Sequence, residues 1–178
     1  MIRLITGGAR SGKSSFAESL YTNYKDVVYI ATSIITDSEM EERITLHRER
    51  RPAIWRTYEG NDNLNQALGK EKHYLLDCIT VLLSNIMFDM TKDVEYIPYE
   101  LQRKIEGRVL KELKNLIEEV NKKEYVLTVV TNEVGYGIVP DNHVARVFRD
   151  LQGRINQELG KLADEVYLVC CGVPVKIK

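Results

Sequence analysis

The sequence predicts an α/β fold in which helices cover both faces of a mainly parallel β-sheet. Short apolar runs alternate along the chain with longer amphipathic segments, which is the pattern of repeated strand–helix units. The run Tyr125–Thr131 is largely apolar, as expected of a strand that is buried on both faces. Because 178 residues is an ordinary length for one domain, we expect residues 1–178 to form a single domain.

The individual elements follow from these runs. The predicted strands are Ile2–Thr6, Val27–Ala31, Ile54–Tyr58, Tyr74–Asp77, Tyr125–Thr131 and Glu165–Cys171. Helical patterns lie near Lys13–Tyr24, Ser38–Arg51, Leu64–Leu68, Ile79–Met90, Tyr99–Lys123 and Asn142–Ala163. The last segment, Gly172–Lys178, follows a turn signal and is compatible with a hairpin strand at the sheet edge, where Pro174 is tolerated.

Composition and charge exclude several classes of protein. The chain has 25 Lys and Arg residues and 26 Asp and Glu residues, for a net charge of −1, which indicates no nucleic-acid partner. No apolar stretch approaches the roughly 18–20 residues of a membrane span, and the first residues lack the layout of a signal peptide. Cys78, Cys170 and Cys171 lie in apolar stretches without a C-x-x-C pair, which predicts buried free thiols and a cytoplasmic location.

A phosphate-binding loop is predicted between the first strand and the first helix. Residues 7–14 match G-x-x-x-x-G-K-[ST], in the strand–loop–helix context that this motif requires. The glycines allow main-chain N–H groups to surround a phosphate. We expect the Lys13 ammonium to reach the β- and γ-phosphates and the Ser14 hydroxyl to bind Mg²⁺. The nucleotide contacts predicted here are Gly7, Gly8, Ala9, Arg10, Ser11, Gly12, Lys13 and Ser14.

An acidic residue at the end of a neighbouring strand is expected to complete the Mg²⁺ site. Asp77 directly ends the predicted strand Tyr74–Asp77, whereas Glu133 follows Tyr125–Thr131 after one intervening residue. Either acid could instead be a helix N-cap or a loop residue. Because Asp77 ends its strand directly, we favour it, and Ser14 and Asp77 are the predicted metal ligands.

The segment Asn132–Asn142 combines Gly135, Gly137 and Pro140 with Tyr136. A loop at the end of a buried strand is well placed to bind substrate in an open α/β sheet. An ordinary strand-to-helix connection explains the segment equally well, and a subunit contact is a third interpretation.

A histidine among arginines is the second candidate site. In the helix predicted over residues 38–51, Arg43 lies four residues before His47 and Arg51 four residues after it, on the same face. Positive neighbours disfavour imidazolium and keep the imidazole in its nucleophilic form, and the guanidinium groups could hold a polyphosphate. The alternative is a solvated helix whose glutamates pair with the arginines. His73 and His143 lack such surroundings and are expected to be structural.

The two candidate sites and several other segments along the chain carry a likeness to one known family. They are Thr6–Ser14, Tyr29–Ser33, Glu39–Met40, Arg43–Ile44, His47, Arg51–Pro52, Trp55–Thr57, Asp77–Thr80, Thr131–Pro140 and Val175–Lys178. Together they resemble the bifunctional adenosylcobinamide kinase / adenosylcobinamide-phosphate guanylyltransferase family of cobalamin biosynthesis. The phosphate-binding loop alone is common to a superfamily, and its combination with the His47 segment and Asn132–Pro140 makes the resemblance specific.

The resemblance implies two reactions on one chain. The aminopropanol hydroxyl of adenosylcobinamide would take the γ-phosphate of ATP or GTP. GTP would then guanylylate His47 with release of pyrophosphate, and GMP would pass to adenosylcobinamide phosphate to give adenosylcobinamide-GDP. The family likeness also implies a RecA-like P-loop NTPase fold, bound Mg²⁺ and a homotrimer.

The residues that the family uses in the two reactions can be matched, one by one, to positions of this chain. Some relatives carry a second histidine just before the nucleophile, but that position is Leu46 here, so His47 alone matches. By the same resemblance, Lys13 is the other catalytic residue. At nucleotide-binding positions where relatives vary in residue type, we expect the main chain and not the side chain to contact the nucleotide. Besides the loop, the implied GTP contacts are Thr32, Ser33, Ile34, Arg48, Glu49, Arg50, Arg51, Glu59 and Asp77.

Two other interpretations stay open. A P-loop kinase of another small metabolite would need the loop and Asp77 but not His47. A nucleotide-gated module that binds nucleic acid through Arg43–Arg51 would show salt-sensitive oligonucleotide binding. The balanced charge and the lack of aromatic residues in that segment argue against the second interpretation.

Overall fold

One β-sheet positions the candidate site residues. The computed structural model describes residues 1–33 and 52–178. The strands in these residues are β1 (Ile2–Thr6), β2 (Val27–Ala31), β3 (Arg56–Glu59), β4 (His73–Asp77), β5 (Val126–Val130), β6 (Glu165–Cys170) and β7 (Val173–Lys176). Their order across the sheet is β3-β2-β4-β5-β1-β6-β7. All neighbouring strands are parallel except β6 and β7, whose antiparallel pairing confirms the expected edge hairpin.

Helices cover both faces of the sheet. The described residues contain α1 (Lys13–Ser19), α2 (Ile79–Met90), α3 (Tyr99–Lys122), α4 (His143–Leu162) and a short 3-10 helix, Leu64–Ala67. Side chains alternate along each strand, so Ile30 packs in the core beneath α2, α3 and α4, while Tyr29 packs on the other face with Ala17 of α1. This arrangement confirms the predicted α/β fold. Among the residues that the structure covers, no helix is both long and apolar enough to traverse a bilayer.

The carboxyl ends of the parallel strands lie in register at one edge of the sheet. One row of paired residues across the strands contains, in order, Glu59, Ala31, Asp77, Val130, Ile5 and Tyr167. Because parallel strands run in one direction, the segments that follow them emerge together at this edge. The phosphate-binding loop, Thr32 and the segment after β5 are therefore neighbours, although they are far apart in sequence.

Helix α1 differs most from its prediction among the described elements. It ends at Ser19 rather than Tyr24, and the chain continues in turns in which the Tyr24 N–H donates to the Tyr21 carbonyl oxygen at 3.0 Å. Tyr21 is buried, and its hydroxyl lies 2.6 Å from Thr128 Oγ1 on β5. This contact with the sheet replaces a further helical turn. The predicted helix Ser38–Arg51 lies outside the described residues.

The prediction of buried thiols is wrong for two of the three cysteines. Cys170 ends β6 and Cys171 lies in the turn to β7, and both are exposed. Every residue of β7 is also exposed, because this edge hairpin extends beyond the helices that cover the other strands. Cys78 is half-buried, so the prediction holds for it only in part, and desolvation by its surroundings raises the pKa of its thiol to about 12.

Candidate active site

The loop between β1 and α1 has the backbone of a phosphate-binding cradle. Gly12 has a φ of 93° and Arg10 a φ of 57°, so the chain curls through the left-handed region at two points. A side chain at position 7 would collide with the Val169 carbonyl oxygen and the Ser11 hydroxyl, so the beginning of the loop also needs glycine. A main chain that curls in this way can present successive N–H groups to one anion.

Lys13 begins helix α1 and is the buried cation of this loop. Its side chain is nine-tenths buried, and its Nζ donates to the Gly8 carbonyl oxygen at 3.1 Å. That bond uses one of the three N–H donors of an ammonium group. Burial and the Asp77 carboxylate raise the pKa of the Cys78 thiol, and the Lys13 charge opposes them. Because β1 and β4 end in the same row of the sheet, the loop with Lys13 and the Asp77 carboxylate lie at the same edge.

The donor set at this edge fits a magnesium ion that is bound together with a nucleotide. Asp77 ends β4, and the Tyr29 hydroxyl donates to its Oδ2 at 3.0 Å, which orients the carboxylate. Ser14 adds a half-buried hydroxyl. Mg²⁺ usually takes one or two protein oxygens and completes its shell with water and phosphate. Residues 1–33 and 52–178 contain no cluster of three or more His, Cys, Asp or Glu suited to a metal.

Thr32 holds the ends of β2 and β4 together. Its hydroxyl donates to the Cys78 carbonyl oxygen at 2.8 Å and accepts from the Cys78 N–H at 3.1 Å. The Asn85 amide donates to the Thr32 carbonyl oxygen at 2.8 Å. Since the side chain is fully buried and already bonded to main chain, Thr32 positions the peptide that follows Asp77.

The remaining predicted nucleotide contacts fall into two groups. Glu59 is exposed at the carboxyl end of β3, in the same row as Asp77, and Ser33 is half-buried just after β2. Both lie at the edge that carries the loop. The others, namely Ile34, Arg48, Glu49, Arg50 and Arg51, lie outside the described residues, as do Arg43 and the proposed nucleophile His47.

The two described histidines make structural contacts, in agreement with their prediction. His73 begins β4, so it lies at the opposite edge of the sheet from the loop. Its Nδ1 is 3.2 Å from Asp26 Oδ1, and its ring packs on Tyr24 with 4.1 Å between centroids. His143 Nε2 accepts from the Ile97 N–H at 3.2 Å.

Two contacts of the loop are not apparent from the sequence. The Gly172 N–H, in the turn between β6 and β7, donates to the Ser11 carbonyl oxygen at 2.8 Å. The Glu133 N–H, after β5, donates to the Gly7 carbonyl oxygen at 3.0 Å. The only sequence signals were a turn glycine and an acid two residues after a predicted strand, and neither indicates a partner so distant in the chain.

The family of the chain follows from its sequence as a whole. Residues 3–177 match the family described as "Cobinamide kinase / cobinamide phosphate guanyltransferase". The chain belongs to this family. The match spans the phosphate-binding loop, His47, Asp77 and the segment after β5, so the family resemblance expected from the motifs is confirmed.

Full-length relatives agree with this assignment to the cobinamide kinase / guanyltransferase family. The "Bifunctional adenosylcobalamin biosynthesis protein CobU" of Escherichia coli (strain K12) is 43% identical over 182 residues. The protein of the same name from Salmonella typhimurium (strain LT2) is 45% identical over 185 residues. Each alignment covers 100% of this chain and 100% of the relative.

Among solved structures, a likeness exists to a prototypical ATPase from the type III secretion system of pathogenic bacteria. The TM-score is 0.53 at 11% identity, over 94% of this chain and 50% of that chain. At this identity the likeness concerns the fold alone. It agrees with the expected P-loop NTPase, RecA-like α/β fold.

Proposed function

We propose that this protein phosphorylates adenosylcobinamide with ATP or GTP and then transfers GMP from GTP to adenosylcobinamide phosphate, which gives adenosylcobinamide-GDP. The observation that carries the proposal is that the phosphate-binding loop with Lys13 and the Asp77 carboxylate lie at one sheet edge, in a chain that matches the cobinamide kinase / guanyltransferase family over residues 3–177. These are the charges that a nucleotide-dependent phosphotransferase needs.

In the proposed kinase step the loop binds the nucleotide phosphates. Main-chain N–H groups of Gly7–Ser14 donate to phosphate oxygens, and the Lys13 ammonium neutralises charge on the transferred γ-phosphoryl group. The acceptor hydroxyl forms a new bond to the γ-phosphorus, the bond to the bridging oxygen breaks, and the nucleoside diphosphate leaves. The buried position of Lys13 supports this role, because a charge that is shielded from water acts more strongly on its neighbours.

Ser14 and Asp77 are the proposed Mg²⁺ ligands. When bound, Mg²⁺ would supply positive charge to the nucleotide phosphates. The Tyr29 hydroxyl holds the Asp77 carboxylate in a fixed orientation, and Thr32 fixes the peptide after it. The other proposed nucleotide contacts are Ser33, Ile34, Arg48, Glu49, Arg50, Arg51 and Glu59.

His47 is the proposed nucleophile of the second reaction. Its neutral imidazole attacks the α-phosphorus of GTP, a P–N bond forms, and pyrophosphate leaves. A phosphate oxygen of adenosylcobinamide phosphate then displaces the histidine and takes the GMP group. Support for this role comes from the family resemblance at His47 and from the arginines around it in the sequence, which disfavour the imidazolium form.

Three further properties belong to the same proposal. Residues 1–178 act as one nucleotide-binding domain, and the protein assembles as a homotrimer, as the family resemblance implies. The reactions take place in the cytoplasm, where the three free thiols of the described structure would stay reduced.

The test separates the two reactions by the position of a radioactive label. Protein is incubated with Mg²⁺ and GTP labelled on the α- or γ-phosphate and then denatured, and label bound to protein is counted. We expect acid-labile, alkali-stable α-label on the protein. In parallel, adenosylcobinamide is supplied with γ-labelled ATP or GTP, and we expect label in adenosylcobinamide phosphate.

Two histidine variants serve as controls. His47→Ala should lose the protein-bound α-label and keep the kinase reaction, whereas His73→Ala should keep both, because His73 lies at the opposite sheet edge. Phosphorylated adenosylcobinamide without any α-label on protein would contradict the guanylyltransferase half and leave a P-loop kinase. Absence of both reactions in nucleotide-binding protein would contradict the whole proposal.

A further inference from the structure

Glu133 is a second carboxylate at the nucleotide edge that the proposed function leaves without a role. It follows β5, the strand that lies between β1 with its phosphate-binding loop and β4 with Asp77. The Glu133 N–H donates to the Gly7 carbonyl oxygen at 3.0 Å, so this residue is joined directly to the beginning of the loop. Glu133 is therefore beside the place where the phosphates of a nucleotide would bind.

The main chain that leads to Glu133 is held firmly. The Asn132 N–H donates to Thr80 Oγ1 at 2.9 Å, and the Asn156 amide donates to the Asn132 carbonyl oxygen at 3.0 Å. Asn156 is itself bonded to the buried Gln152 at 2.9 Å. Contacts from α2, α4 and the loop thus fix this peptide, and a group that must meet a reacting atom needs such support.

The carboxylate of Glu133 has a defined orientation as well. Its Oε1 accepts the Gly135 N–H at 2.6 Å, and the Gly135 carbonyl oxygen accepts from Arg149 Nη2 at 3.0 Å. Within residues 1–33 and 52–178, Oε2 makes no hydrogen bond, and the residue is half-buried. Oε1 therefore accepts a hydrogen bond that orients the carboxylate, whereas Oε2 has no hydrogen-bond donor among the described residues.

The segment that follows Glu133 in the chain exposes large apolar side chains, which suits contact with a bulky acceptor. Tyr136 and Ile138, three and five residues further along the chain, are 84% and 96% exposed. Arg146 donates to the Pro140 carbonyl oxygen at 2.9 Å and so holds the far end of this segment on α4. A large ligand that lies on this segment could bring a terminal hydroxyl to Glu133.

We infer that Glu133 is the general base of the kinase step, which receives the proton of the aminopropanol hydroxyl of adenosylcobinamide. This inference rests on the proposed kinase reaction. As the hydroxyl oxygen bonds to the γ-phosphorus, its proton passes to Glu133 Oε2 and the nucleoside diphosphate leaves with the electrons of the bridging bond. A positioned carboxylate has the same role in other phosphotransferases. Asp77 suits this role less, because its carboxylate accepts the Tyr29 hydroxyl and is the proposed metal ligand.

The second proposed reaction does not need this base. Its acceptor is the phosphate of adenosylcobinamide phosphate, which is already an anion at neutral pH and has no proton to lose before it attacks. The two reactions of one protein therefore respond differently to removal of the carboxylate, and this difference separates a general base from a residue that merely supports the loop.

The experiment compares Glu133→Gln with the unmodified protein in both reactions. Glutamine keeps the shape of the side chain and an oxygen that accepts the Gly135 N–H, but it cannot take a proton at neutral pH. We expect kcat for phosphorylation of adenosylcobinamide to fall by about 10²-fold or more. KM for the nucleotide and the transfer of GMP to supplied adenosylcobinamide phosphate should stay within about threefold, a small change beside general-base effects.

Two further variants complete the experiment. Asp141→Asn removes an exposed carboxylate at the far end of the same segment and should leave both reactions unchanged. Glu133→Asp keeps an acid on a shorter side chain and should retain more kinase activity than Glu133→Gln. Equal losses in both reactions, or no loss in either, would overturn the role of Glu133 as base. If the unmodified protein does not phosphorylate adenosylcobinamide, the proposed function fails, and this inference fails with it.

Discussion

The Gly172 N–H donates a hydrogen bond of 2.8 Å to the carbonyl oxygen of Ser11. This bond attaches the turn of the C-terminal hairpin to the phosphate-binding loop near the start of the chain. A β-carbon added at Gly12 would lie only 3.1 Å from the Gly172 Cα, so the two backbones are in close contact. The exposed edge hairpin therefore supports the nucleotide site directly.

Gly12→Ala should destabilise the loop and weaken nucleotide binding. Position 12 has a φ of 93°, which costs a residue with a β-carbon about 1–3 kcal/mol, and the added methyl group would press on Gly172. The measurement is the free energy of unfolding by urea, with nucleotide affinity as the second readout. Gly8→Ala is the matched control for the unfolding measurement, because nothing lies within 4 Å of its added carbon. Equal stability of the two variants would contradict this account of the loop.

Thr32→Val should lower the free energy of unfolding by about 1–3 kcal/mol, because the buried N–H and carbonyl oxygen of Cys78 both lose their partner. Valine has nearly the same shape as threonine, so no cavity contributes to the change. Thr32→Ser keeps the hydroxyl and should retain most of the stability that Thr32→Val loses. Thermal and urea unfolding of the two variants provide the comparison. A serine variant as unstable as the valine variant would show that packing of the methyl group, and not the hydroxyl, is what matters.

Glu165→Gln should destabilise the edge hairpin in a pH-dependent manner. Hydrogen bonds from Lys176 at 2.6 Å and Arg3 at 2.7 Å lower the pKa of Glu165 to about 2. The folded pKa lies below the ordinary value of 4.5, so this stabilisation is fully present above pH 4.5 and is lost as the pH falls toward 2. We expect a loss of about 1–2 kcal/mol at pH 7, since the group is partly exposed.

The check is the difference in unfolding free energy between Glu165→Gln and the unmodified protein, measured from pH 7 downward. Glu158→Gln removes an exposed pair with Lys161 and should cause a much smaller change. A difference for Glu165→Gln that stays constant from pH 5 to pH 3 would contradict the role of the ionised carboxylate.

Thiol labelling should divide the cysteines into two groups. Burial raises the pKa of the Cys78 thiol to about 12, so at pH 8 only about one molecule in 10,000 carries the reactive thiolate. Cys170 and Cys171 are exposed and should react with iodoacetamide in the folded protein. Mass spectrometry should find two labels before unfolding and a third afterwards. The double variant Cys170→Ser/Cys171→Ser should show no early label, and early modification of Cys78 would contradict the raised pKa of its thiol.

Much of the fold was predictable from local patterns. Apart from α1 and the residues outside the described ranges, helix and strand ends agree with the predicted limits within about two residues, which is the usual precision of such boundaries. Helix α1 is the exception, because the burial of Tyr21 against β5 ends it early. The exposure of Cys170 could not be predicted either, since an apolar run does not reveal that the end of its strand β6 is left uncovered beside the edge strand β7.

The sequence by itself determined the phosphate-binding loop, the alternation of strands and helices, and the family, because each depends on residue types at short spacing or on likeness along the whole chain. Only the tertiary structure decided which segments meet at the loop. The contacts of Gly7 with Glu133 and of Ser11 with Gly172 join residues more than 100 positions apart. Such contacts depend on the order of strands in the sheet, which brings β5 and β6 to the two sides of β1.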